Sequence, residues 1–295
     1  MNEHFADRLM ALSQQKNSRL CVGLDPRLDL LPPGLEGMPA QQFERFCFEL
    51  CLAVEPYAVA VKPQSAYFEA LGSAGIACLE RVCCFAREIG LLVILDAKRN
   101  DIGSTAQAYA EAYLTGHCCR QHPLADAITV NGYLGSDGVQ PFIDLNARHG
   151  TGVFVLVKTS NPGSGELQDL KLETGLTVYQ QMADLVAVWG RDSIGESGYS
   201  SVGAVVGATY PQQLTELRER VPTVPFLVPG YGHQGGAAQD LAGAFDAQGF
   251  GAIVNSARAI NYAFKDSDLP WAAAAAEAAC AARDDINSVT GYPGR

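Results

Sequence analysis

The sequence of 295 residues has no apolar run as long as a membrane-spanning helix. Such a helix needs about 18 to 20 apolar residues, and the stretches at 91–95 and 271–276 are far shorter. The N-terminal segment carries Glu3 and Asp7 and lacks the apolar core that a secretory signal contains. We therefore expect a cytoplasmic protein that does not cross a membrane.

Basic residues are also scarce, with 21 Lys and Arg against 32 Asp and Glu, for a formal net charge of -11. No run of Lys or Arg is long enough to follow the backbone of a nucleic acid, so we expect no nucleic-acid partner. A small phosphorylated ligand remains compatible with this charge, because local amides and one or two cations decide such binding.

The common motifs of zinc and nucleotide-triphosphate sites are absent. The sequence contains no C-x-x-C, no H-E-x-x-H and no G-x-x-x-x-G-K, and we expect neither a metal nor an organic cofactor. Nine cysteines include the adjacent pairs Cys83/Cys84 and Cys118/Cys119, and several cysteines lie in apolar helical patterns. We expect them to be reduced packing residues.

Short apolar runs alternate along the chain with stretches of helical spacing. Eight such runs occur, at residues 20–24, 57–61, 91–95, 127–131, 152–157, 202–207, 225–229 and 252–255. Repeated βα units are typical of a parallel sheet, and eight of them in a chain of this length predict a closed (β/α)8 (TIM) barrel. We expect one domain over residues 1–295.

The predicted fifth strand is followed by an unusually long segment, from about Ser160 to Ser201, whose ends are rich in Gly and Ser. Its position places an inserted loop and helix on the carboxyl face of the barrel. Two interpretations remain open, because long loops of this composition are either spacers or covers of an active site.

Charged residues gather at the predicted carboxyl ends of the second and third strands, where a barrel of this class builds its active site. The third strand runs into LLVILDAKRNDIGSTA, and Lys62 ends the second strand. Asp96 and Lys98 are two positions apart, so in an extended segment they point to the same side, and Asp101 follows in the turn. Either a salt-bridge network that closes the barrel mouth or a catalytic cluster explains this pattern.

The catalytic interpretation has a definite chemistry. Neighbouring carboxylates keep a lysine protonated, which makes it a general acid and argues against a Schiff-base role. A carboxylate beside it repels an anionic group of the substrate. If that group leaves as neutral carbon dioxide, the repulsion is relieved and the ammonium protonates the carbanion left behind, without a cofactor.

Three further strand ends resemble parts of a ligand site. The seventh strand continues into VPGYGHQGG and the eighth ends in IVNSARAI, so that glycine amides, Gln234 and Arg258 predict a phosphate site. Asp25 ends the first strand in VGLDPR and either accepts from a ligand hydroxyl or caps a turn before Pro26.

Six segments in order, VGLDPR, VKPQSAYFE, DAKRNDIGSTA, VKTSNPGSGELQ, VPGYGHQGG and NSARAI, resemble orotidine 5'-phosphate decarboxylases of the longer bacterial subfamily. The resemblance extends from about Asp25 to Arg258. It implies a (β/α)8 barrel that converts orotidine 5'-phosphate to uridine 5'-phosphate and carbon dioxide in de novo pyrimidine synthesis, with no metal or cofactor.

The resemblance also implies roles for the charged residues at the strand ends. Lys98 is the proton donor to C6 of the pyrimidine, and Asp96 lies against the substrate carboxylate. Lys62 completes the charge network and reaches the ribose, while Asp25 binds a ribose hydroxyl.

Substrate binding and assembly are implied in the same way. Ser160 matches the residue that reads the pyrimidine ring, Gln234 and Arg258 match the phosphate ligands, and Pro229 and Gly230 border the base and phosphate pockets. In the family the residues that match Asp101 and Thr105 reach into the partner's active site. The resemblance therefore implies a homodimer with two shared sites.

The sequence is also compatible with two alternative functions. A barrel relative that shares D-x-K-x-x-D would use the carboxylates as magnesium ligands to stabilise an enediolate, although an ammonium at Lys62 would compete with the metal. A non-catalytic nucleotide-binding barrel is the other, but loss of one charged member would then be expected.

Overall fold

The computed structural model describes residues 3–116, 122–232 and 237–291. In these residues a closed parallel barrel forms in chain order, and its last strand pairs with the first. The strands are β1 (Leu20–Leu24), β2 (Ala60–Pro63), β3 (Leu92–Arg99), β4 (Ala127–Val130), β5 (Gly152–Lys158), β6 (Val202–Val206), β7 (Phe226–Val228) and β8 (Ala252–Ser256). The predicted (β/α)8 barrel is confirmed.

Each of the eight predicted runs overlaps one of these strands, and two boundaries differ in an informative way. Strand β2 begins at Ala60 rather than Tyr57, because residues 55–57 form the turn that ends the preceding helix. Strand β3 ends at Arg99 rather than Leu95, so that charged residues lie within it. A strand in a barrel mouth can therefore continue past its apolar run.

Along the chain the helices come before, between and after the strands, and in the fold they lie outside the barrel. They are α1 (Phe5–Gln15), α2 (Pro39–Val54), α3 (Ser65–Glu69), α4 (Gly72–Glu88), α5 (Gly103–Leu114), α6 (Ser136–His149), α7 (Gly165–Gln168), α8 (Val178–Gly190), α9 (Pro211–Arg220), α10 (Arg258–Asn261) and α11 (Trp271–Asn287). A 3-10 helix at Ala238–Ala244 stands between β7 and β8. Within the described part of the chain, none of the helices combines the length and apolarity that crossing a membrane requires.

Helix α2 shows how the sequence produces an outer helix. Its buried residues recur every three or four positions, which puts them on one face. They are Phe43, Phe46, Cys47, Leu50, Cys51 and Val54. Cys47 and Cys51 of α2 pack here as small apolar residues, whereas Cys118 and Cys119 lie outside the described residues.

The amino end of the barrel is closed by α1. Phe5 packs edge-to-face on Phe154 of β5, with ring centroids 5.9 Å apart. A Cβ on Gly152 would lie 2.3 Å from the Phe5 ring, so only glycine leaves room for this contact. Since apolar side chains fill the interior above Phe5, the open end of the barrel is the carboxyl end.

The segment 160–201 divides into three parts. Its middle is α8, which packs on β5 and β6 as an outer helix of the barrel. Its last part lies at the amino end, where the backbone N–H of Ser197 donates to Asp7 of α1 over 2.7 Å. Only the first part, residues 160–177, remains near the carboxyl end, because α8 must carry the chain back before β6 begins.

Candidate active site

The polar side chains at the carboxyl end follow from strand alternation. Ala60, Ile94 and Ala127 point into the apolar interior of the barrel. The residues two positions further along β2, β3 and β4 are Lys62, Asp96 and Thr129, and all three are buried. Since side chains two apart share a face, the alternation that fills the barrel also places these groups at its mouth.

Asp96 is the centre of this group. Its Oδ2 lies 2.7 Å from Nζ of Lys62 and accepts a hydrogen bond from Gln64 over 3.1 Å. Its Oδ1 lies 2.6 Å from Nζ of Lys98 and accepts from the Thr129 hydroxyl over 2.9 Å. The carboxylate is therefore held between two ammonium groups, and both of its oxygens are occupied.

Burial and neighbouring charges shift the pKa values of this cluster in opposite directions. Burial by itself would raise the pKa of Asp96, but the charges of Lys62 and Lys98 outweigh it and hold that pKa well below its usual range. Burial would lower the pKa of Lys62, yet the negative charges of Asp96 and Asp25 raise it. Asp96 is consequently ionised and Lys62 protonated at neutral pH.

The backbone around Lys98 differs from the regular extended segment that the sequence pattern indicates. Lys98 has φ +47°, in the left-handed region that non-glycine residues seldom adopt. Leu95 pairs with Ile128 and Arg99 with Val130, so β3 is irregular between the two paired positions. Asp96 and Lys98 do meet, as predicted, but through a bulge rather than through strand alternation.

A cavity of about 390 Å³ opens beside this cluster, large enough for a small organic ligand. Five of the predicted site residues line it: Lys62, Asp96, Lys98, Ser160 and Pro229. The cavity is also lined by four polar residues for which the sequence predicts no role: Thr129, Thr159, Asn161 and Gln168. Leu156, Val205 and Leu227 form its apolar part.

The sequence contains only weak signals for these additional polar residues of the cavity. Thr159, Asn161 and Gln168 stand inside VKTSNPGSGELQ, but nothing in that segment shows that Gln168 folds back. In the structure the Gln168 side chain accepts from the Thr159 backbone N–H over 2.9 Å and donates to its hydroxyl over 2.8 Å. The loop after β5 is thus closed onto the cavity wall.

A buried lysine anchors this loop. Nζ of Lys158, at the end of β5, lies 2.7 Å from Asp169 and 3.3 Å from the Ser164 hydroxyl. The same ammonium lies 4.6 Å from the ring centre of Tyr210. The part of the segment 160–177 that reaches Asp169 is therefore fastened to the barrel.

The residues predicted to bind ribose and phosphate lie around the neighbouring strand ends. Oδ1 of Asp25 is buried without a hydrogen-bond partner in the described residues, and burial raises the pKa of this carboxyl despite the opposing charge of Lys62. Gly230 follows β7 with φ +99°. Arg258 begins α10 and lines a second cavity, of about 330 Å³. Gln234 lies outside the described residues.

Asp101 and Thr105 lie away from the cavity of their own chain. Asp101 accepts from the backbone N–H of Ile102 over 2.8 Å, before the start of α5. Thr105 is exposed in the first turn of α5, and Ile102 between them is 54% exposed. The structure therefore brings Lys62, Asp96 and Lys98 together but leaves these two residues facing outward.

Comparison with known proteins agrees with this architecture over most of the chain. Residues 18–267 match the model of the family described as orotidine 5'-phosphate decarboxylase / HUMPS. The chain is 48% identical to an orotidine 5'-phosphate decarboxylase of Rhodopirellula baltica, over 91% of this chain and 92% of the relative. It is 44% identical to that of Deinococcus radiodurans, over 99% and 100%.

A solved structure is similar in fold as well as in sequence. The OMP decarboxylase of Leishmania donovani superposes with a TM-score of 0.76 at 34% identity, over 97% of this chain and 98% of that one. The chain therefore belongs to the orotidine 5'-phosphate decarboxylase / HUMPS family.

Proposed function

We propose that this protein is an orotidine 5'-phosphate decarboxylase, which converts orotidine 5'-phosphate to uridine 5'-phosphate and carbon dioxide. The observation that carries the proposal is the carboxylate of Asp96, held between the ammonium groups of Lys62 and Lys98 at the wall of a cavity. Curated relatives of that name, alike over nearly the whole chain, support the same activity.

The cluster suits a decarboxylation that ends in proton transfer. A substrate carboxylate placed against Asp96 meets a fixed negative charge, and this repulsion disappears as neutral carbon dioxide forms. The bond between C6 and the carboxyl carbon breaks, and its electron pair stays on C6. Lys98 stabilises that charge and transfers a proton from Nζ to C6.

The position of Lys98 fits the role of a proton donor that is used once in each cycle. Its side chain is 45% exposed, whereas those of Lys62 and Asp96 are 7% and 8% exposed. Lys98 therefore reaches both the cavity and the water that restores its proton. Lys62 is the fixed charge that keeps Asp96 ionised.

The remaining roles follow the shape of the site. Asp25, with its unpartnered Oδ1, would accept from a ribose hydroxyl beside Lys62. Ser160 and Pro229 on the cavity wall would border the pyrimidine. Gly230, Gln234 and Arg258 would hold the phosphate. For Arg258 this role is supported by the cavity that it lines together with the basic residues Arg27 and Lys265.

The outward-facing residues support a shared site. Asp101 and Thr105 would enter the cavity of a second copy, and the exposed Ile102 between them would be covered in the same contact. This proposal makes the active unit a homodimer with two sites. It also places the reaction in the cytoplasm, where phosphorylated nucleotides are made and used.

The activity is tested by following the ultraviolet absorbance of orotidine 5'-phosphate with purified protein in excess EDTA. Conversion of the orotate chromophore to uracil is the expected result. An unchanged spectrum, together with turnover of a sugar phosphate once magnesium is added, would show that the charged cluster serves metal-dependent chemistry. The occupied oxygens of Asp96 weigh against that second outcome, because a metal there would meet two ammonium groups.

A further inference from the structure

We propose that Thr129 is the residue that positions the proton donor, an inference that rests on the proposed decarboxylase function. Thr129 lies in the middle of β4, is 1% exposed and lines the cavity. It acts through Lys98 and Asp96, and its hydroxyl rather than its volume performs the role.

Strand β3 contains a bulge opposite Thr129. Between the positions paired with Ile128 and Val130, β3 contains Asp96, Ala97 and Lys98, whereas β4 contains only Thr129. A bulge of this kind leaves backbone N–H groups without partners on the neighbouring strand. Two of them, at Ala97 and Lys98, donate to Oγ1 of Thr129 over 3.1 and 3.0 Å.

These two hydrogen bonds hold Lys98 in an unusual backbone conformation. Lys98 has φ +47°, and strained residues of this kind persist only where the surroundings over-determine them. A regular strand would point the side chain of residue 98 along the common face of β3. The left-handed conformation instead determines the direction in which the Lys98 side chain leaves the backbone. Its Nζ lies 2.6 Å from the Asp96 carboxylate.

Thr129 is also linked to the charged cluster through Asp96. The Thr129 hydroxyl donates its one proton to Oδ1 of Asp96 over 2.9 Å, the same oxygen that Lys98 contacts. A hydroxyl has one donor and two acceptor sites, so all three are used here. A single atom therefore fixes both the backbone of Lys98 and the carboxylate that pairs with its ammonium.

The test replaces this hydroxyl step by step. Thr129→Val keeps the shape and removes the oxygen, Thr129→Ser keeps the oxygen, and Thr129→Cys supplies only a weak acceptor. We expect kcat for orotidine 5'-phosphate to fall by about tenfold or more in Thr129→Val, with little change in KM. We expect it to stay within about threefold in Thr129→Ser and to be intermediate in Thr129→Cys.

A second measurement reports on Lys98 directly. A group that protonates C6 also exchanges the C6 hydrogen of uridine 5'-phosphate, by microscopic reversibility, so the product in D2O loses its C6–H signal in NMR. We expect Thr129→Val to slow this exchange and kcat by the same factor. Thr151→Val is the matched control, because Thr151 is equally buried but precedes β5 at the opposite end of the barrel.

The outcomes separate the two proposals. A wild-type protein that does not decarboxylate orotidine 5'-phosphate overturns the proposed function and this inference together. With an active wild type, three results overturn the role of Thr129 alone: full activity in Thr129→Val, equal losses in the Ser and Val variants, or a fall in kcat with normal C6–H exchange. If Thr129→Val does not fold, the comparison of Ser with Cys decides, since activity must follow acceptor strength rather than volume.

Discussion

Replacement of Lys62 by methionine is the most direct test of its buried ion pair with Asp96. Lys62 and Asp96 have side chains 7% and 8% exposed and are in contact at 2.7 Å. Breaking a buried pair by removing one partner costs about 3 to 5 kcal/mol, because the other charge stays buried. In Lys62→Met, Asp96 still has Lys98, Thr129 and Gln64, so we expect the lower end, about 3 kcal/mol of unfolding free energy.

The pH dependence of that difference distinguishes a charge effect from a packing effect. The pKa of Asp96 is lowered by folding, so its stabilising contribution is present above the unfolded value of about 3.9 and disappears as pH falls through the folded value. The pKa of Lys62 is raised, so its contribution is present below about 10.4 and disappears as pH rises through the folded value. The cost of Lys62→Met should therefore be largest near neutral pH and shrink below about pH 4 and above about pH 10.

The assay is reversible urea unfolding, followed by far-ultraviolet circular dichroism across this pH range. Lys171→Met is the control, because Lys171 is exposed and should change stability by less than about 0.5 kcal/mol. A cost below about 0.5 kcal/mol for Lys62→Met at pH 7, or one that is the same at all pH values, would show that the buried ion pair does not stabilise the fold.

Three further predictions concern activity. Lys98→Ala should abolish decarboxylation while the protein remains folded and binds uridine 5'-phosphate in calorimetry; turnover near the wild-type rate would remove Lys98 from the role of proton donor. Arg258→Ala should raise KM for orotidine 5'-phosphate by about tenfold or more, because a charge-assisted hydrogen bond to phosphate is lost, and an unchanged KM would contradict the phosphate assignment. Mixing inactive Lys98→Ala and Asp101→Ala proteins should restore about a quarter of wild-type activity after random exchange, since each hybrid dimer has one intact site. No recovery despite subunit exchange shown by native mass spectrometry would argue against a shared site.

Strand identity was readable from the sequence because a strand buried on both faces of a parallel sheet must be apolar over several consecutive residues. The run at Leu20–Leu24 is itself the strand β1. The end of β3 was not readable in this way, because Asp96 and Lys98 interrupt the apolar run while the backbone continues to pair as far as Arg99. A rule that ends a strand at its last hydrophobic residue therefore places the end of β3 too early, because charged residues continue the strand at the barrel mouth.

The charged members of the site were predictable because the sequence placed them directly after apolar runs, and a parallel barrel brings such positions to one end. Their polar partners were not predictable. Thr129 sits in ITV, where a threonine is an ordinary β-branched strand residue, and Gln168 stands several residues beyond β5. Nothing local distinguishes a threonine that supports a bulge from one that fills a strand.

The number and order of the βα units, the end of the barrel where the charged cluster lies and the identity of its charged residues could thus be read from the sequence alone. Periodicity and composition encode these features, since each depends on neighbours in the chain. The folded chain was needed to show the left-handed turn at Lys98, the three hydrogen bonds of Thr129 and the outward placement of Asp101. Those features depend on contacts between strands and loops far apart in the chain, and such contacts cannot be predicted from the local sequence.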